Sequence, residues 1–134
     1  MTTNEIKRIL ANKLHEEGTY FTFKDISITK AKMPQKKWVE EPNDRGYFKL
    51  EKVDAIKIVI KDYEHIHFFL TEDNDGVNDD YSNEVNLWRA EFDTRAGEYY
   101  EDGAHLIDFD YGNDYEKLYT TELIRLGYYI GSRF

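Results

Sequence analysis

Apolar residues recur at helical spacing only near the two ends of this 134-residue chain, and at strand spacing between them. At the start, Thr2 and Glu5 stand in the capping-box pattern ahead of Ile6, Ile9, Leu10 and Leu14, which share one helical face. Gly18 supplies the left-handed residue that ends this helix. Towards the other end, Gly112-Asn113-Asp114 opens a second helix, with Asn113 or Asp114 as cap and Glu116 in the first turn. Tyr115, Leu118, Tyr119, Leu123 and Leu126 form its apolar face, Gly127 ends it, and Tyr128–Ile130 reads as a short last strand.

The middle of the chain is strand-like. Tyr20–Ile28 carries Phe21 and Phe23 in one phase and Ile26 and Ile28 in the other. That switch implies a bulge near Lys24 and Asp25, or burial on both faces. Residues 30–46 read as a connection, because Pro34 forbids a helix and Pro42-Asn43-Asp44-Arg45-Gly46 is turn chemistry. Val53–Lys61 is a strand with Ile56, Ile58 and Ile60 inward, joined through Asp62-Tyr63-Glu64 to His65–Leu70 as a hairpin. A polar loop, Thr71–Asn83, precedes a third strand of this sheet at Glu84–Phe92. The turn Asp93–Gly97 leads on to a strand at Ala104–Tyr111. Helix, about five strands, helix, with no alternation of strand and helix, specifies a single α+β domain over residues 1–134 with a mainly antiparallel sheet.

Charge then narrows the function. The chain carries 18 Lys and Arg against 27 Asp and Glu, a net charge of −9. The excess is concentrated: between Glu72 and Glu116 the only cations are Arg89 and Arg95, among fifteen carboxylates and five tyrosines. Such a field repels nucleic acid and membrane surfaces and attracts basic partners. The four lysines of Lys30–Trp38 do not outweigh it, so direct nucleic-acid binding is not expected. They are expected instead to pair with the acidic half or to keep a sheet edge soluble. No cysteine is present, which removes disulfides, zinc–thiolate sites and a thiol nucleophile. Neither a signal peptide nor an apolar run of membrane-spanning length is visible, so a cytoplasmic protein is expected.

Catalytic patterns are missing. Ser27, Ser82 and Ser132 have no motif around them, and dense exposed carboxylates are a poor setting for perturbed acid–base groups. The loop Glu72–Asp80 fits the calcium-loop pattern at Asp73, Asp75 and Gly76, but Thr71 and Ser82 stand where the pattern needs carboxylates. His65 and His67 alternate on one strand, with His105 on another, which leaves a small-ligand or metal-dependent enzyme domain as an alternative. Such a domain would line its pocket with Trp88, Phe92, His65 and His67. The expectation is no enzyme, no cofactor and no resident metal.

The candidate partner surface is Glu72, Asp73, Asp75, Asp79 and Asp80, with Glu98, Tyr99, Tyr100, Glu101 and Asp102, then Asp108, Asp110 and Asp114. Asp108 and Asp110 share a strand face at roughly 6.8 Å. Together these groups are expected to cover one end of the domain, with tyrosines as flat anchors among fixed charges. In general character (short, acidic, rich in Tyr and Asp, without cysteine) the chain resembles phage-encoded DNA mimics, including some anti-restriction and anti-CRISPR proteins. The resemblance implies an inhibitor that occupies the nucleic-acid site of a basic protein. The same electrostatics also fit an immunity protein that neutralises a basic nuclease toxin.

Overall fold

A computed structural model describes residues 1–43, 45–73, 84–107 and 117–134. Helix α1 (Thr3–Glu16) starts as its sequence directs, with the Thr2 hydroxyl accepting the Glu5 N–H at 3.2 Å. It ends at Gly18, whose φ is 76°. A 3-10 turn (Phe23–Asp25) follows, closed by the Asp25 carboxylate on the Thr22 N–H at 2.8 Å. This turn, rather than a bulge within a strand, produces the phase switch at Lys24 and Asp25. The strand expected from Tyr20 therefore begins only at Ile26.

Among the described residues, six strands and a second helix follow: β1 (Ile26–Val39), β2 (Tyr47–Ile60), β3 (Ile66–Asp73), β4 (Glu84–Asp93), β5 (Glu98–Tyr99), β6 (His105–Leu106) and α2 (Tyr119–Arg133). The sheet order is β1-β2-β3-β4-β5, with β6 also on β4, and every pairing is antiparallel. The α+β class, the antiparallel sheet and the two terminal helices match the sequence reading.

The largest departure is the first hairpin. Residues 30–39, read as part of a connection, continue β1, and β2 begins at Tyr47 rather than Val53, giving an unbroken register from Ile26–Ile60 to Val39–Tyr47. Pro34 is compatible with this because β1 is an edge strand, where a missing N–H costs no ladder bond. Asp62, at φ 73°, makes the tight turn from β2 into β3.

The two faces of the sheet are buried differently. One packs Ile58, Ile60, Phe68, Leu70, Val85 and Leu87 against Leu10 and Leu14 of α1 and Leu123, Leu126 and Ile130 of α2. The other face buries Met33, Phe69, Ala90 and Ala104, with Trp88 and Tyr99 packed around them. Among the described residues no helix covers that second face; the β1–β2 hairpin does. It pairs with β3 through Ile56, Lys57 and Ile58, and its outer rows bend back until Pro34 O accepts the Ala104 N–H at 2.7 Å beside β4. A strand buried on both sides needs a continuous apolar run, and Phe68-Phe69-Leu70 of β3 supplies one.

Helix α2 differs from its expected bounds at both ends. Residues 113–116, read as its start, lie outside the described residues, as do 108–111 of the strand expected at Ala104–Tyr111. The helix begins after Leu118, where Thr121 Oγ1 accepts the Leu118 N–H at 2.8 Å. It runs through Gly127 to Arg133, so Tyr128–Ile130 is helical rather than a strand. Gly127 is a packing residue: a Cβ there would lie 2.5 Å from Lys13 Cγ, so the missing side chain lets α1 approach. Buried in the same helix, Arg125 Nη1 meets Glu122 Oε2 at 2.5 Å, and its Nη2 donates to Ile107 O at 3.0 Å. A buried ion pair strongly penalises loss of either member.

Closure of the hairpin depends on Gly103. Its φ is +64°, and a Cβ would lie 2.9 Å from both Leu50 Cδ2 and Pro34 O. Gly103→Ala is expected to lower stability by more than about 1 kcal/mol in chemical unfolding, through backbone strain and lost closure. Unchanged stability would show that the hairpin does not close on this segment.

Candidate acidic interface

The β4–β5 end of the sheet presents carboxylates through two tight turns. Asp93 Oδ1 accepts the N–H groups of Arg95 and Ala96, at 3.0 and 3.2 Å, and Asp93 O accepts that of Gly97. β5 then returns along β4, with Tyr99 opposite Phe92 and Glu98 opposite Asp93. A second turn closes from Gly103 N–H to Tyr100 O at 3.0 Å. Strand alternation sends Tyr99 inward and leaves Glu98 and Tyr100 outward.

Tyr99 fixes this platform to the second core. Its hydroxyl lies 2.7 Å from His67 Nδ1, and its ring meets Phe92 and His67 edge-on at 5.0 and 5.2 Å. His67 also stacks on Phe92 at 4.4 Å. Burial, aided by the nearby Lys57 charge, pushes the His67 pKa down to about 4, so the ring is neutral at pH 7. A backbone hydrogen bond at Glu64 acts in the opposite direction. Burial also holds the Tyr99 hydroxyl above its ordinary pKa.

Outside this support lies an open concavity of about 450 Å³ lined by Asp93, Ala96, Glu98, Tyr99, Tyr100, Glu101 and Asp102. Tyr100 is 53% exposed, and Glu98, Glu101 and Asp102 are exposed with it. Four carboxylates and a half-exposed phenol on a rigid turn can receive a lysine or arginine side chain through charge-assisted hydrogen bonds.

The other expected members do not join this group. Glu72 and Asp73 pair with Val85 and Glu84 at the far end of β4. Val85 and Phe92 are separated by roughly 24 Å of strand. Glu72 instead accepts a hydrogen bond from the Tyr119 hydroxyl at 2.5 Å, beside a groove lined by Lys30, Lys32 and Asp54. The described carboxylates therefore occupy two ends of the sheet, not one. Asp75, Asp79, Asp80, Asp108, Asp110 and Asp114 lie outside the described residues, as does most of the loop weighed as a calcium site.

The histidines also separate. His65 precedes β3 and is exposed, His67 is buried, and His105 is exposed on β6. Among the described residues, no group of three or more His, Cys, Asp or Glu side chains is placed to hold a metal. Trp88, Phe92 and His67 do share one face, but their neighbours there are Phe69, Tyr99 and Ala90. Trp88 Nε1 donates to Thr71 Oγ1 at 2.8 Å. These side chains pack against the second core.

Among the described residues, two lysines of β1 pair within their own hairpin. Lys32 meets Asp54, and Lys37 meets Glu51 at 3.4 Å. Their place on an edge strand agrees with a role in keeping that edge soluble. Among the described residues, no helix is long and apolar enough to cross a membrane. A scan against protein-family models and searches of curated proteins and of solved structures return no match for the chain.

The His67 environment makes a pH prediction. Its folded pKa lies below the ordinary 6.5, so the unfolded chain binds the proton more readily. The corresponding stability is complete above pH 6.5 and is lost as pH falls towards 4. Urea unfolding across this window should give a steeper slope for the native chain than for His67→Gln. Equal slopes would contradict the burial of a neutral imidazole.

Proposed function

We propose that this chain is a non-enzymatic binding protein that captures a basic partner on the β4–β5 platform. The single observation that supports the reading is the exposed set Glu98, Tyr100, Glu101 and Asp102, gathered with the half-buried Asp93 around one concavity. Charges held at fixed spacing on a turn offer a basic groove an arrangement like that of a phosphate backbone, at little ordering cost. Tyr100 adds flat area of the kind favoured at interface anchors. The partner class that fits is a nucleic-acid-binding protein or nuclease, whose own function requires a basic groove. Occupying that groove blocks it, so the chain acts as an inhibitor or sequestering protein, as the compositional resemblance to DNA mimics also suggests.

The His67–Tyr99–Phe92 cluster has a supporting role in this scheme. It fixes β5 to the second core and so sets the positions of Glu98 and Tyr100 on either side of Tyr99. Pre-set side chains lose less freedom on binding than side chains on a loose loop.

Immobilised native chain should retain a basic protein from host lysate at low salt and release it as salt rises, because exposed charges are screened. Glu98→Lys with Glu101→Lys is expected to reduce retention about 100-fold, as like charges replace complementary ones. The charge-matched pair Glu5→Lys and Glu16→Lys, on α1, should retain the partner normally. Equal loss in both pairs would reduce the effect to net charge and remove the platform from the mechanism.

A further inference from the structure

Among the described residues, the outer hairpin exposes three adjoining apolar side chains on one face. Trp38 and Phe48 are cross-strand partners at 4.8 Å, with rings inclined at 68°. They are 45% and 57% exposed, and Leu50, one step along on the same face, is 42% exposed. Lys36 lies on that face with its Nζ 4.6 Å from the Phe48 ring, and Lys52 follows Leu50 at strand spacing. Scattered apolar side chains need no explanation, but an adjoining Trp, Phe and Leu on one sheet face mark an interaction surface.

What this face touches on its own molecule identifies the occupant. Leu50 packs on Gly103, the residue that ends the Tyr100–Glu101–Asp102 turn. The cationic aromatic strip and the acidic platform are thus adjoining halves of one surface, meeting at Leu50 and Gly103. Residues 30–52 carry seven cations against four acids, a local net of +3, whereas the remainder of the chain carries −12. A two-fold axis through the junction of two oppositely charged halves brings each half against its complement.

We infer that this surface binds a second copy of the chain, forming a closed two-fold dimer in which each hairpin lies on the other copy's acidic platform. Trp38, Phe48 and Leu50 are the apolar centre of the contact. Lys36 and Lys52 face Glu101 and Asp102 of the second copy across it. Single-stranded nucleic acid is a poorer occupant, since its phosphates would lie beside the same platform carboxylates. The inference does not rest on the basic-partner reading, because both halves belong to this chain; a basic partner and the second copy compete for the same platform.

Sedimentation equilibrium on the purified chain tests it, in about 0.05 M and about 0.5 M salt. The native chain should dimerise at low salt, with a dissociation constant rising about tenfold or more at high salt. Lys36→Glu with Lys52→Glu should weaken self-association about 100-fold, as should Glu101→Lys with Asp102→Lys. Mixing these two variants restores both contacts and should recover a heterodimer, an outcome that misfolded variants cannot give. Fluorescence from Trp38 in a Trp88→Phe background should shift to the blue as the dimer forms. A native chain that stays monomeric at low salt overturns the inference. So does a dimer indifferent to both reversals, or two variants that fail to associate when mixed although each keeps its native near-UV circular dichroism. If the monomer instead binds a labelled single-stranded oligonucleotide, and Lys36→Glu with Lys52→Glu abolishes it, the hairpin serves nucleic acid and the inference also fails.

Discussion

A sheet with two apolar faces needs two covers, and among the described residues helices cover only one. Everything distinctive in the structure follows from how the second face is covered. The β1–β2 hairpin bends across it, buries Met33 and Phe69 completely, and closes from Pro34 O onto Ala104 N–H. Bending the hairpin over the sheet places Leu50 against Gly103, and the turn that Gly103 ends is the one that displays Glu101 and Asp102. The same packing draws in Tyr99, so the acidic platform is fixed by the second core rather than left on a free loop. Burial energy and surface chemistry are coupled at this point of the fold.

The charge distribution gains meaning from that arrangement. In sequence, the basic stretch and the acidic stretch are far apart, at residues 30–52 and beyond Glu72. In space, the hairpin's exposed face adjoins one part of the acidic half. Lys32 and Lys37 are paired across their own hairpin with Asp54 and Glu51. Exposed pairs of this kind contribute little to stability, so they do not explain the placement of the charges. In the proposed reading the charges serve recognition, the carboxylates suiting a cationic groove and the apolar, cationic strip beside them suiting a second copy.

How much of this was legible beforehand depends on which physical signal each part leaves. Helix α1 was readable because its cap, its stripe and its terminal glycine agree. The strands β3 and β4 were readable because burial gives them an apolar run or a clean alternation. The outer hairpin was not, because its strands are exposed over much of their length and their lysines mask the period-two pattern. Gly127 misled because a glycine inside a helix looks like an end, and only the neighbouring helix shows why no side chain fits. At the candidate interface, alternation along Glu98-Tyr99-Tyr100 could have separated the inward tyrosine from the outward one. The distance between Glu72 and the Glu98–Asp102 turn had no sequence signal, since it follows from strand order alone.

The central claim is that the acidic platform stands in for nucleic acid, and competition tests it most directly. Once a basic partner has been recovered on the immobilised chain, double-stranded DNA is titrated against the complex and release of the partner is measured. If the platform occupies the nucleic-acid groove, DNA displaces the chain, and the partner never carries both at once. A ternary complex, with DNA and this chain bound together at undiminished affinity, would show that the platform binds elsewhere and would contradict the account.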